Sequence, residues 1–134
     1  MYEKFIFSAE DQAVLFPKIV GAARSFCNSL QRTTSIMADE RRLRIEFYRE
    51  EYYFYFQLIT EPWIIDESRD LARVHPLRQE STWLKNCAYR VEFSGDEDAN
   101  MDYFDAQLDL LRCVLAIPGV AVYDYKQSAF FEVP

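Results

Sequence analysis

Glu61, Asp66, Asp70 and His75 are the residues whose types and spacing could do acid/base or metal chemistry. One imidazole with two carboxylates can hold iron or zinc, or relay a proton. Asp66 and Asp70 would share a helix face. Arg69, Arg73 and Arg78 are interleaved with them, so intrahelical ion pairing competes for the same carboxylates. His75 is the chain's single histidine, which gives a catalytic triad or a multi-histidine metal site little to draw on. Pro76 follows it and places it in a loop.

A second group lies further on. Asp96, Asp98, Asn100 and Asp102 alternate as a calcium loop's ligands do, but Met101 stands where that loop needs glycine and Gln107 where it needs a bidentate glutamate. Calcium binding is therefore not expected. Asp98, Asp102, Asp105 and Asp109 recur at spacings of four, three and four and would line one side of a helix over 99–116. The helix dipole favours acids in its first turn, but Asp105 and Asp109 lie beyond that turn. Arg112 can pair with Asp109. These four aspartates are the candidate partner-binding residues.

Arg42, Arg44, Tyr48, Tyr53 and Tyr55 form a third constellation, of arginine beside aromatics on one hairpin face. Single-stranded nucleic acid is bound this way by some sheets. Glu46, Glu50 and Glu51 dilute the charge, and cross-strand pairing explains the face without a ligand. Nucleic acid is disfavoured for a further reason, because the whole chain carries a net charge of −7.

That charge is uneven. Residues 1–50 hold eight Lys/Arg against seven Asp/Glu, and residues 51–134 hold seven against fifteen. A basic partner would be steered toward the second part. The three glycines are too far apart for a phosphate loop, and no cofactor is implied. Cys27, Cys87 and Cys113 are odd in number and widely spaced, which suits inert thiols in a reducing, cytoplasmic setting. The N-terminus has no signal-peptide pattern, and no apolar run is long enough to span a membrane.

With 134 residues, half of them hydrophobic, the chain is expected to fold as a single α+β domain. Glu3 to Phe7 reads as a strand, with Ser8 capping a helix that Pro17 breaks. Leu15, Ile19, Ala22, Phe26 and Leu30 form its core stripe. Arg42 to Arg49 and Tyr52 to Ile59 alternate as a hairpin. Residues 61–86 are irregular, with a short helix over 66–74. Ala88 to Phe93 is a strand, and a helix over 99–116 follows, with Met101, Phe104, Leu108, Leu111 and Leu115 inward. Tyr103, Leu110 and Val114 broaden its apolar arc, which either the neighbouring helix or a second copy in a homodimer would cover. Val120 to Tyr125 and Ala129 to Val133 close the chain as a hairpin.

The order β-α-β-β-(α)-β-α-β-β repeats between 1–60 and 87–134 as pseudo-repeats joined by 61–86. It predicts a two-layer sandwich, a mainly antiparallel sheet of about six strands with two long helices on one face. We expect a small, non-catalytic protein-interaction module of adaptor or inhibitor type, offering an acidic helix face to a basic partner. The alternatives are a metal-dependent or acid/base enzyme using His75 with the nearby carboxylates, and a small-ligand-binding domain.

Overall fold

The computed structural model describes residues 3–76 and 78–132. It is an α+β sandwich on one seven-stranded antiparallel sheet. β1 (Glu3–Ser8) leads to α1 (Gln12–Ser29), β2 (Thr34–Ala38), β3 (Arg42–Phe47) and β4 (Tyr52–Ile59). Then come α2 (Ile64–Val74), α3 (Ser81–Leu84), β5 (Arg90–Gly95), α4 (Phe104–Leu115), β6 (Val120–Asp124) and β7 (Ala129–Phe130). The strand order is β2-β3-β4-β5-β1-β6-β7. The two halves interlock, since β1 pairs with β5 and β6 and β4 pairs with β5. Among the described residues no helix is long and apolar enough to cross a membrane.

Register fixes what each face carries, because directly opposed residues in an antiparallel ladder point the same way. Ile6, Val91 and Val122 align across the centre, and Phe54, Phe56, Ile45 and Leu43 continue the same face toward β3. α1 and α4 cover that face with Leu15, Phe16, Ile19, Phe26, Leu110, Leu111 and Val114, and together these residues make the main core. The opposite face is covered at one end only. There α2 and α3 supply Ala72 and Leu84, which pack on Phe7, Ala121, Tyr123 and Phe130. Among the described residues no helix packs on the β3–β4 part of this second face, where Arg42, Tyr55 and Gln57 are exposed.

Several local expectations change. β2 is a strand beyond the six expected; Thr34–Ala38 shows no apolar alternation because as an edge strand it needs none. Asp11, not Ser8, caps α1, accepting from the Ala13 N–H at 2.8 Å. α1 then runs unbroken through Pro17. Its buried stripe (Leu15, Phe16, Ile19, Ala23, Phe26) is strong enough to hold a helix that propensity alone would interrupt. Pro17→Ala removes the ring's clash with the preceding turn and restores a hydrogen bond. We expect a gain of about 1–2 kcal/mol, read as a higher urea midpoint with unchanged slope.

α4 begins at Phe104 rather than near Ala99, which rotates its inward face. Ala106, Gln107, Leu110, Leu111 and Val114 are buried, whereas Met101 and Phe104 are exposed. Leu110 and Val114 thus belong to the core, against α1's side of the sandwich, and need no second copy to cover them. Gly95 pairs with Phe54, which carries β5 two residues past the expected end at Phe93. Val133, expected in the last strand, lies outside the described residues. The β3–β4 turn lacks Asn-Gly; Arg49 and Glu51 adopt left-handed backbone instead, with φ of 64° and 51°.

Candidate functional site

The acid/base group does not converge. Asp66 and Asp70 of α2 are exposed and pair with Arg69 at 3.6 Å and Arg73 at 2.9 Å. Glu61 is exposed in the turn before α2. His75 ends α2, and its N–H donates to the Leu71 carbonyl. Its ring meets Phe130 and Tyr123 edge-on, with centroids 5.3 and 5.8 Å away. That is a packing role. Among the described residues no three His, Cys, Asp or Glu side chains come together to hold a metal ion.

The acidic ridge is split by the later start of α4. Asp98 precedes the helix, and its carboxylate accepts from the Asp102 and Tyr103 N–H groups, both at 2.8 Å. Asp102 also lies before the helix. Only Asp105 and Asp109 stand on α4; both are exposed, and Asp109 pairs with Arg112 at 3.0 Å. The four aspartates therefore do not form one helical row. On the hairpin, Arg42, Arg44, Tyr53 and Tyr55 do share the open sheet face, with Arg44 5.1 Å over the Tyr53 ring. Tyr48 lies past the end of β3, in the turn, beside Arg49.

The most distinctive constellation went unnoticed in the sequence. Arg90 opens β5 and is 4% exposed. Its Nε donates to a Glu92 carboxylate oxygen at 2.8 Å, and Glu67 of α2 lies 3.6 Å from the guanidinium. The guanidinium sits 3.7 Å from the Phe5 ring centre and 5.3 Å from that of Trp63. Planar, weakly hydrated and neutralised on two sides, an arginine tolerates this burial where lysine would not.

Arg90, Phe5 and Tyr125 are shared by two adjoining hollows of about 430 and 370 Å³ on the second sheet face. The walls hold Tyr55, Trp63 and Tyr125, which are 37%, 47% and 62% exposed. Tyr125 leans on Phe5 with ring centres 5.6 Å apart. The carboxylates of Glu3, Glu67, Asp70 and Glu92 line the same hollows, against Arg90 as the only cation among the lining residues. The cleft is thus aromatic in its walls and acidic overall. Each side chain has a simple positional cause. Alternation on β1, β4 and β5 sends Phe5, Tyr55, Arg90 and Glu92 to one face, and the turn into α2 brings Trp63 across it. Arg90 and Glu92, two apart on one strand, were the signal available in the sequence.

No family model, curated protein or solved structure matches the chain.

The thiols are dull. Burial pushes Cys87 up to about 11, and Cys27 and Cys113 are also raised, chiefly by burial, with Asp109 adding to the effect at Cys113. Tyr89 and Tyr103 are both pushed up to about 12, mainly by burial, with the Glu50 carboxylate contributing at Tyr103. In each case the folded-state pKa lies above the ordinary value, 9.0 for cysteine and 10.0 for tyrosine. The stability tied to the neutral forms is therefore whole below that value and lost as pH rises through the folded one. We expect stability to fall from about pH 9 to about pH 12 on these grounds. Tyrosinate absorbance should show late-titrating tyrosines, Tyr89 and Tyr103 among them, that merge with the rest on unfolding.

Proposed function

We propose that the protein is a non-catalytic interaction module whose aromatic, acid-lined cleft receives a cationic side chain of a basic protein partner. The observation that carries this reading is the exposure of Trp63, Tyr125 and Tyr55 around four carboxylates, where α2 borders the second sheet face. Exposed aromatic faces attract a guanidinium or ammonium, and nearby carboxylates supply charge-assisted hydrogen bonds. The stack that Arg90 makes on Phe5 and Trp63 has the same chemistry. The net charge of −7 would steer a basic chain inward and repel phosphate backbones. Asp105 and Asp109 remain a subsidiary acidic surface on α4.

The test uses a short, fluorescently labelled peptide carrying three arginines in a neutral sequence, followed by the anisotropy of the label. Binding should weaken with salt and fall at least tenfold in Trp63→Ala and in Tyr125→Ala, with thermal stability retained. A peptide lost to Asp105→Lys with Asp109→Lys, and indifferent to Trp63→Ala, would move the partner to α4. No binding by the wild-type protein at low salt would remove the proposal.

A further inference from the structure

β2 forms one edge of the sheet, and none of its residues, Thr34 to Ala38, is charged, proline or glycine. Natural sheets usually blunt such an edge, because its free N–H and C=O groups template another strand. The opposite edge, β7, has two residues. Which groups of β2 are free follows from its ladder with β3. The Tyr48 N–H donates to the Thr33 carbonyl at 3.0 Å, and the Asp39 N–H donates to the Arg42 carbonyl at 2.9 Å. Bonding alternates along an antiparallel strand. Ser35 and Met37 therefore bond inward with β3, while Thr34, Ile36 and Ala38 direct their N–H and C=O groups away from it. Among the described residues no strand takes them up.

We infer that β2 pairs antiparallel with β2 of a second copy, about a two-fold axis at Ile36, joining the two sheets edge to edge. In this register Ile36 meets Ile36 of the second copy, and Thr34 meets Ala38 in both directions. All three positions are outward-bonding, so the three pairs, at two bonds each, give about six backbone hydrogen bonds. Charge complementarity selects the same axis. Extended past the strand ends, it brings Arg32 toward Glu40 of the second copy, twice over by symmetry. The Arg32 side chain is 37% exposed, and Glu40 is exposed in the β2–β3 turn. Moving the axis to Ser35 or Met37 gives up one of the three pairs, and the Met37 axis also sets Arg32 against Arg42. A second copy of this chain is thus the occupant that matches the edge in both hydrogen bonding and charge. This inference does not depend on the cleft.

Sedimentation equilibrium over a wide concentration range tests it. The wild-type protein should show a monomer–dimer equilibrium that stops at the dimer. Ala38→Pro deletes an outward N–H without touching the β3 ladder, and Glu40→Lys sets like charges against Arg32. Each should weaken the dimer at least tenfold with the circular dichroism spectrum unchanged, and the Glu40→Lys effect should shrink in high salt. Trp63→Ala should leave the dimer intact. Should Ala38→Pro fail to fold, Glu40→Lys decides alone. A protein monomeric at every concentration would overturn the inference, as would a dimer indifferent to both changes or growth beyond a dimer. A monomer that takes up an added extended peptide at β2 would also overturn it, in favour of a foreign strand.

Discussion

Arg90→Ala is expected to lower stability by about 2–3 kcal/mol, the largest effect of any single polar substitution in the sheet. The change removes a cation that is almost fully buried and leaves Glu92 and Glu67 facing each other across the gap. Removing one partner of a buried pair costs more than the pair contributes, because the remaining charge has lost its compensation. Both glutamates keep partial access to water, with side chains 34% and 45% exposed, and this holds the cost toward the lower end. The contact of the guanidinium with the Phe5 ring, 3.7 Å from its centre, is lost as well. Arg90→Met keeps most of the volume and should cost less than alanine. Arg90→Lys should stay close to alanine, since an ammonium has neither a planar face to set on the ring nor a fixed fork of donors for the two carboxylates. Urea denaturation of the three variants checks the order, and a cost for alanine below that of methionine would contradict it.

Tyr103→Ala is the second, at about 2 kcal/mol. Tyr103 lies just before α4, yet it ties three elements together. Its ring stacks on Tyr52 at 3.6 Å with planes 4° apart, and it meets Phe47 edge-on at 5.0 Å. The Arg32 guanidinium lies 4.7 Å above it, and its hydroxyl donates to Glu50 at 2.8 Å. Arg32 and Glu50 also approach each other at 3.7 Å. The end of α1, the β3–β4 hairpin and the start of α4 therefore meet on one ring. Truncation removes the stack, the cation contact and the hydrogen bond at once, and the losses should not be additive. Tyr103→Phe keeps the rings and should cost a few tenths of a kcal/mol, as an exposed hydrogen bond does. It should also delete one late step in the alkaline titration. A Tyr103→Ala variant as stable as Tyr103→Phe would show that the ring carries no load.

The cleft depends on the first of these residues. Arg90 holds Glu92 and Glu67 together, so its loss should change the shape of the acidic wall as well as the stability. Tyr103 belongs to the other face of the sandwich and should leave the cleft as it is.

Strand periodicity was legible wherever one face is buried. Leu43, Ile45 and Phe47, and then Tyr52, Phe54, Phe56 and Leu58, alternate because every second side chain enters the core, and β4 begins and ends where that pattern does. β2 was not legible, since an edge strand with one flank in water can carry Thr, Ser and Met without alternation. α4 misled for another reason. Met101 and Phe104 extend an apolar period backward into a segment that Asp98 has already closed as a turn, so a stripe that includes them points away from Leu110 and Val114.

What the sequence determined by itself was the α+β class, the two helices over one sheet, the dull thiols and the excess of acid in the second part of the chain. All of these follow from composition and short-range periodicity, which local sterics and burial impose residue by residue. Only the tertiary structure decided which charged groups meet. Asp98, Asp102, Asp105 and Asp109 look like one row in the sequence, but in the fold Asp98 closes a turn through the Asp102 and Tyr103 N–H groups, and only Asp105 and Asp109 stand on α4. Arg90, Phe5, Trp63 and Tyr125 look unrelated and share one cleft. Strand order brings β1 between β5 and β6 across more than eighty residues of chain, and no local periodicity reports a pairing made at that distance.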